Sequence, residues 1–378
     1  MSKLQIIFFN AGGGHRSTAI ALAKQLCLVA PNTSIHQVDI QSPSLLGSLD
    51  ILQRLTGFSV VGLYNHILQN DLTAWDPLYL KFSRVNIRVL HRYGLRILID
   101  HWRQTTPDIV ISLIPLFNSL LVESLETALP NARFLTVMTD LADSPPSYWF
   151  QKPGHPVICP TAKAVEQGLQ LGYSSTDIIR TSGLVLSPDF YLPVEHDRAT
   201  ERLQLGLKPD RPTALLMSGA NGASSMVEII RKLNSIHFPF QMICLCGRVD
   251  DDTKQAIGFA SRHPIFVEGY TERVPYFMSL CDLFIGKPGN ICVCEAVHMN
   301  LPVITHTSSA TLVQERYTST WLDENQYGIT VKSWGDIAMA VTELMELSTY
   351  STLKANVRGS RNQGLHETVE FITDSLLP

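Results

Sequence analysis

The sequence predicts an α/β protein made of two doubly wound domains, each a parallel sheet with helices on both faces. Three observations predict it. Short apolar runs alternate with segments of helical period, the grammar of a parallel sheet covered on both sides. The series stops at a polar, proline-rich seam and then starts again. Each half also contains a strand that breaks at a glycine turn and opens a helix, at residues 10–17 and 283–298. A chain of 378 residues with a 45% apolar share is long enough to fill two cores.

In the first half, residues 4–9 form a short apolar run that breaks at Asn10-Ala11-Gly12-Gly13-Gly14, and residues 17–28 follow at helical spacing. Further strands are expected at 35–40, 108–113, 134–139 and 157–159. The second series opens at 213–219 and continues at 241–246, 265–267, 283–285 and 302–305. Ser187-Pro188-Asp189, the polar stretch 195–202 and Lys208-Pro209-Asp210-Arg211-Pro212 mark the seam. Domains are therefore placed at 1–200 and 201–378, with the last helix available to pack back on the first. Two such sheets leave an interdomain cleft at their carboxyl ends, where α/β proteins hold ligands.

Composition excludes several classes. With 30 basic against 34 acidic residues, a formal charge of −4, the chain has no electrostatic reason to bind nucleic acid. The seven cysteines lack CxxC spacing and sit mostly in apolar runs, so reduced thiols, a cytoplasmic setting and no metal site are expected. The opening residues are too few and too polar for a signal peptide, and no apolar stretch approaches the ~18–20 residues of a spanning helix. Residues 45–64 and 67–80 are rich in leucine, valine and aromatic residues, and Arg84, Arg88, Arg92, Arg96 and Arg103 follow at intervals that make a basic face. A peripheral, lipid-facing surface and ordinary core packing both account for that pattern.

The residues that can do chemistry cluster at the turns. Gly12, Gly13 and Gly14 bring backbone N–H groups and a helix's positive end toward an anion, although the dinucleotide GxGxxG spacing is absent. His15 adds a group that titrates near neutrality at the tip of the turn. Asp140, after the 134–139 strand, is placed to orient His15 or bind an acceptor hydroxyl; a turn or cap explains it equally well. In the second half, Gly286-Lys287-Pro288-Gly289-Asn290 opens a helix containing Glu295. The helix start suits diphosphate oxygens, Lys287 adds a point charge, and Glu295 suits a ribose diol. Gln314 and Glu315 combine donors and acceptors fit for sugar hydroxyls. The loops carrying Ser218, Gly219 and Asn221, and Gly247 and Arg248, also follow strands, and Tyr270 follows another.

In order and spacing, these motifs resemble the glycosyltransferase family that contains the monogalactosyldiacylglycerol synthases, the processive diacylglycerol glucosyltransferases and, more remotely, the lipid I transferase. The residues that carry the resemblance are GGGHRS from Gly12, DIVISLIPL from Asp108, TVMTDL from Thr136, ICPTAKAVEQGL from Ile158, LLMSGANG from Leu215, GYTERVPYFMSLCDLFIGKPGNICVCEAV from Gly269, and Gln314-Glu315. The resemblance implies the GT-B fold, a UDP-sugar donor on the C-terminal half, an inverting reaction with no required cofactor, and a lipid acceptor at a membrane surface. It makes His15 the base and Glu295 the ribose ligand. Gln314 and Glu315 become the pair near the donor sugar, and Ser218, Gly219, Asn221, Gly247, Arg248, Tyr270, Lys287, Gly289 and Asn290 the rest of the donor site. Departures from the family pattern lie at Leu312-Val313, at the asparagine usual a few residues later, which has become Thr318 or lies elsewhere, and at Asn290, Cys292 and Cys294. A UDP-sugar 2-epimerase of the same fold and an inactive sugar-nucleotide binder are the rival readings.

Overall fold

The computed structural model describes residues 1–10, 13–42, 45–46, 76–217, 223–309 and 311–377, of which 76–90 and 223–224 are described as backbone only. Gly12, Ser218, Gly219 and Asn221, and nearly all of the apolar segment 45–64, lie outside the described residues.

The chain divides into two units, Met1–Pro188 with Asn362–Pro378, and Asp189–Arg361. The first unit holds six strands, β1 (Ser2–Phe8), β2 (Thr33–Asp39), β3 (Ile109–Ser112), β4 (Arg133–Val137), β5 (Val157–Cys159) and β6 (Ile178–Arg180). They run in the order β2-β1-β3-β4-β5-β6, every pairing parallel. The second holds β7 (Thr213–Met217), β8 (Gln241–Leu245), β9 (Ile265–Glu268), β10 (Leu283–Gly286), β11 (Val303–His306) and β12 (Gly328–Val331). Its order is β12-β11-β10-β7-β8-β9, again wholly parallel. Helices cross between consecutive strands, except from β4 to β5, where residues 138–156 make the crossover without a helix.

Both orders reverse direction once, between β1 and β3 in the first unit and between β7 and β10 in the second. At such a switch point the two following helices leave on opposite faces and open a crevice above the carboxyl ends of the strands. The sequence places His15 after β1, Leu113 after β3, and Lys287 after β10, which are the strands flanking the two switch points.

Burial explains why the central strands were readable as apolar runs. β3 is buried throughout, and Leu4, Ile6 and Ile7 of β1 are closed to solvent. In the first core Trp102, on helix Asp76–Thr105, packs with Ile7, Leu98, Val110 and Leu121, and its indole donates to Ser124 Oγ at 2.8 Å. The second core is Ile, Leu, Met and Phe from β7, β8, β10 and the helices around them, centred on Leu216, Phe240, Met242 and Ile285. β6 and β12 were not expected. They are edge strands of three and four residues, half exposed, and so lack the continuous apolar signature.

The seam falls at Pro188–Asp189, before the expected boundary at residue 200. The reason is Arg202, buried on helix Arg198–Gln204, whose guanidinium bonds Asp282 Oδ2 at 2.8 Å and the carbonyls of Leu280 and Pro209. That ion pair fastens the polar stretch to the second unit. Conversely, helix Gly364–Phe371 returns to the first unit, where a Cβ on Gly364 would meet the Gly183 carbonyl at 2.2 Å. Only glycine permits that approach.

Candidate functional site

In the first unit, β1 ends at Phe8 and helix Gly14–Val29 begins six residues later. Gly13 occupies the N-cap at φ +89°, a left-handed conformation that side chains resist. With no side-chain cap, the first turn leaves backbone donors open and places its positive end at His15.

The His15 ring is half-buried and held at one nitrogen. Nδ1 lies 2.7 Å from the Leu113 carbonyl and 3.0 Å from Thr139 Oγ1. A carbonyl can only accept, so Nδ1 carries the proton and Nε2 keeps its lone pair. Among the described residues Nε2 makes no hydrogen bond. Burial pushes the pKa of His15 down to about 4 against the smaller raising effect of the Leu113 carbonyl. The imidazole is therefore neutral near pH 7, with its proton-accepting nitrogen available.

Aromatic rings frame it. Phe9 stands edge-on at 5.8 Å between centroids and Trp149 lies tilted at 6.4 Å. The Trp149 indole donates to Asp140 Oδ2 at 2.9 Å, so Asp140 holds the wall beside the histidine. Asp143 accepts from the backbone N–H groups of Ser147, Tyr148 and Trp149 at 2.7, 2.9 and 2.6 Å, fixing the turn that carries the indole. The sequence reading singled out Asp140 and missed Thr139, whose only advance signal was its place at the carboxyl end of a predicted strand.

In the second unit, β10 runs through Lys287-Pro288-Gly289 into helix Asn290–His298. Gly286 is required by space: a Cβ there would lie 2.5 Å from the Met217 carbonyl. Thr305 Oγ1 donates to the Gly286 carbonyl at 2.9 Å, tying β11 to the turn. The helix start at Gly289 again has no side-chain cap.

Asn290 links this helix to the 3-10 turn Val313–Glu315. Its Nδ2 donates to the Gln314 carbonyl at 3.4 Å, and its Oδ1 accepts from Thr318 Oγ1 at 2.7 Å. Two of the departures from the family pattern are thus partners. The turn brings Glu315 to the loop that precedes the helix, with Oε1 3.7 Å from where a Gly289 Cβ would stand. Cys292 donates to the Gly289 carbonyl at 3.3 Å; burial and then the carboxylates of Glu295 and Glu315 raise its pKa, keeping it a neutral thiol. Burial pushes Glu295 up to about 8. Burial is the whole cause of that shift, and it leaves a neutral carboxyl inside the second turn of the helix.

At the carboxyl ends of β8 and β9, the Arg248 guanidinium lies 4.5 Å from the centre of the exposed Tyr270 ring. Gly247 turns there at φ +73°. Together they form a planar, cationic platform. Of the seven cysteines, all free, five are buried, Cys292 is half-buried and Cys27 is exposed. Among the described residues no cluster of His, Cys, Asp and Glu side chains is arranged to hold a metal ion.

Two parallel six-stranded sheets with flanking helices, each with its site at the switch point, define the GT-B fold. The chain superposes on MurG from Acinetobacter baumannii with a TM-score of 0.59 over 99% of both chains at 12% identity. It superposes on UDP-GlcNAc 2-epimerase from Neisseria meningitidis, bound to UDP-GlcNAc, with a TM-score of 0.59 over 100% of both chains at 14% identity. At these identities the likeness is one of fold.

The sequence is closer to lipid glycosyltransferases. It is 25% identical over 356 residues to monogalactosyldiacylglycerol synthase 1 of Arabidopsis thaliana, covering 90% of this chain and 64% of that one. It is 31% identical over 319 residues to a probable monogalactosyldiacylglycerol synthase 2 of Oryza sativa subsp. japonica, covering 79% and 64%. It is 26% identical over 334 residues to the processive diacylglycerol beta-glucosyltransferase of Staphylococcus saprophyticus, covering 86% and 80%. The monogalactosyldiacylglycerol synthases and diacylglycerol glucosyltransferases are its homologues. The chain spans just under two thirds of the length of the plant relatives, and no protein-family model matches it.

Proposed function

We propose that this chain is an inverting glycosyltransferase that moves a hexose from a UDP-sugar to a hydroxyl of a membrane lipid, with diacylglycerol the first acceptor to test. The observation that carries the reading is the His15 ring, whose Nδ1 is committed to the Leu113 carbonyl and whose Nε2 is thereby kept as a proton acceptor. In the reaction the acceptor O–H proton passes to Nε2 as the oxygen forms its bond to the anomeric carbon. The bond from that carbon to the diphosphate breaks with its electron pair leaving on UDP. The proton transfer needs no cofactor.

The donor roles follow from the second unit. The uncapped start of helix Asn290–His298 and Lys287 suit the diphosphate, and Glu295 suits the ribose hydroxyls. Gln314 and Glu315, brought to the phosphate loop by Asn290, suit the sugar, and the Arg248–Tyr270 platform suits the uracil face. Ser218, Gly219 and Asn221 belong to the same expected site. No described helix is long and apolar enough to cross a membrane. The lipid acceptor is proposed from the names of the sequence relatives.

Shared fold leaves a UDP-sugar 2-epimerase as the second reading, supported by the likeness to the Neisseria enzyme. The names of the sequence relatives favour the transferase. Incubation with UDP-galactose or UDP-glucose, with and without diacylglycerol vesicles, separates the two. Acceptor-dependent UDP release and a glycolipid in the mass spectrum support transfer. Conversion of UDP-N-acetylglucosamine to its epimer without acceptor would overturn it.

A further inference from the structure

We propose that Thr139 is a positioning residue that sets the proton affinity of His15, acting as a second, uncharged acceptor for its Nδ1–H. The inference rests on the reading of His15 as the base, and deepens it. Thr139 is buried, on the segment that leaves β4, and its Oγ1 stands 3.0 Å from Nδ1 while the Leu113 carbonyl stands at 2.7 Å on the segment that leaves β3. Two acceptors from two neighbouring strands thus converge on one ring nitrogen.

The geometry admits one tautomer. Were Thr139 to donate its hydroxyl proton to Nδ1, the Leu113 carbonyl would face a nitrogen lone pair at 2.7 Å, which is repulsive. With the proton on Nδ1, both oxygens are attractive, and both gain strength when Nε2 takes a second proton and the ring becomes cationic. Thr139 therefore contributes most in the charged state that the transfer creates.

What Thr139 withholds matters as much as what it supplies. A carboxylate at its position would raise the proton affinity of the ring and leave it partly cationic near neutrality. The carboxylates nearby are otherwise engaged: Asp140 with the Trp149 indole, Asp143 with the backbone of residues 147–149. Arg16 follows on the histidine's own helix, residues 113–117 after β3 carry no titratable side chain, and Phe9 and Asn10 after β1 carry no charge. Burial dominates the low proton affinity of His15, and among the described residues no counter-charge offsets it.

The test is a His15 titration by NMR on protein with 15N-labelled histidine, His15→Ala serving to assign the signal, alongside pH profiles of kcat and KM. In the parent, Nδ1 is the protonated nitrogen and the rate holds as pH falls until the acid limb near the titration of His15. Thr139→Asp is expected to raise the His15 midpoint by about 1–3 pH units and to move the acid limb of kcat by the same amount. Thr139→Val, which keeps the shape and removes the acceptor, is expected to lower the midpoint and cut kcat about threefold to tenfold with KM unchanged. Thr139→Ser should restore both. If Thr139→Asp does not fold, the valine and serine pair decides. An unchanged His15 titration in the valine and aspartate variants would overturn the proposal. A shifted titration together with full activity in His15→Ala would leave Thr139 as the setter of the histidine's proton affinity and remove the base reading instead.

Discussion

The two glycine turns of this molecule share a grammar of strand, turn and helix, yet they are built on different physical needs. Gly13 adopts φ +89° with nothing within 4 Å of a hypothetical Cβ, so glycine is needed there for backbone conformation alone. Gly289 has φ −67°, which any residue adopts, but a Cβ would come within 3.1 Å of Cys292 Sγ and 3.7 Å of Glu315 Oε1. The first turn aims a side chain, His15, by bending the chain. The second turn is packed too closely against Cys292 to take a side chain without a shift. One turn is therefore specified by a dihedral angle and the other by close packing, and substitutions at the two should fail in different ways.

The largest effect is expected at the aimed side chain. His15→Ala should lower kcat roughly 100- to 10,000-fold while leaving UDP binding to the protein within a factor of two or so. Parallel loss of UDP affinity would show that the first turn also serves the donor. Next comes the helix that follows the second turn. Glu295→Gln should weaken UDP binding more at about pH 9, where the carboxylate forms and hydrogen bonds to a charged group contribute ~1.5–3 kcal/mol, than at about pH 7, as calorimetry at the two pH values would show. The same variant carries a pH signature. Because folding raises the Glu295 pKa from 4.5 to about 8, the folded state binds more protons than the unfolded chain across that window, and stability falls as pH rises through it. His15 works in the opposite sense. Its pKa falls to about 4, so the unfolded chain binds more protons between about pH 4 and 6.5, and stability is lost as pH drops through that range. Glu295→Gln should accordingly raise Tm by several degrees at pH 8 and change it little at pH 5.

Smaller effects sharpen the contrast. Asn290→Ala and Thr318→Val, alone and combined, should show a coupling of about 0.5–3 kcal/mol in UDP-sugar binding or stability, because one hydrogen bond joins the two side chains. Strict additivity would mean that the turn carrying Gln314 and Glu315 is held by other contacts. The smallest effect belongs to Gly13→Ala, which should cost about 1 kcal/mol from backbone strain, a Tm loss of about 2–4 °C, with KM for the donor unaltered.

The legible parts of the molecule were those whose signal is local. β1, β3, β7 and β10 are buried on both faces and announce themselves as apolar runs, and the glycine turns that follow two of them are plain in the text. β6 and β12 were invisible because short edge strands with one solvated face have too few residues to show a period. At the site, His15 and Glu295 stood out as ionisable groups in apolar or glycine-rich surroundings. Their partners did not. The Leu113 carbonyl is a backbone atom 98 residues from His15 in sequence, and Thr139 lies 124 residues away. Asn290 and Thr318 were noticed only as two unrelated departures from the family pattern. That they bond each other depends on a 3-10 turn that brings them together, a non-local fact. Asp140 was singled out in the sequence, while its indole partner, Trp149, was not.

The return of residues 362–378 to the first unit has a consequence for how the unit that carries His15 folds. Helix Gly14–Val29, which carries His15, packs against helix Gly364–Phe371, a pairing that spans nearly the whole chain. The second unit is contiguous from Asp189 to Arg361 and has all of its strands before that pairing can form. The first unit is therefore closed by a contact of very large sequence separation, the kind that costs most loop entropy and forms late in folding. The helix that bears the histidine gains its full support only when residues on either side of the whole second unit meet.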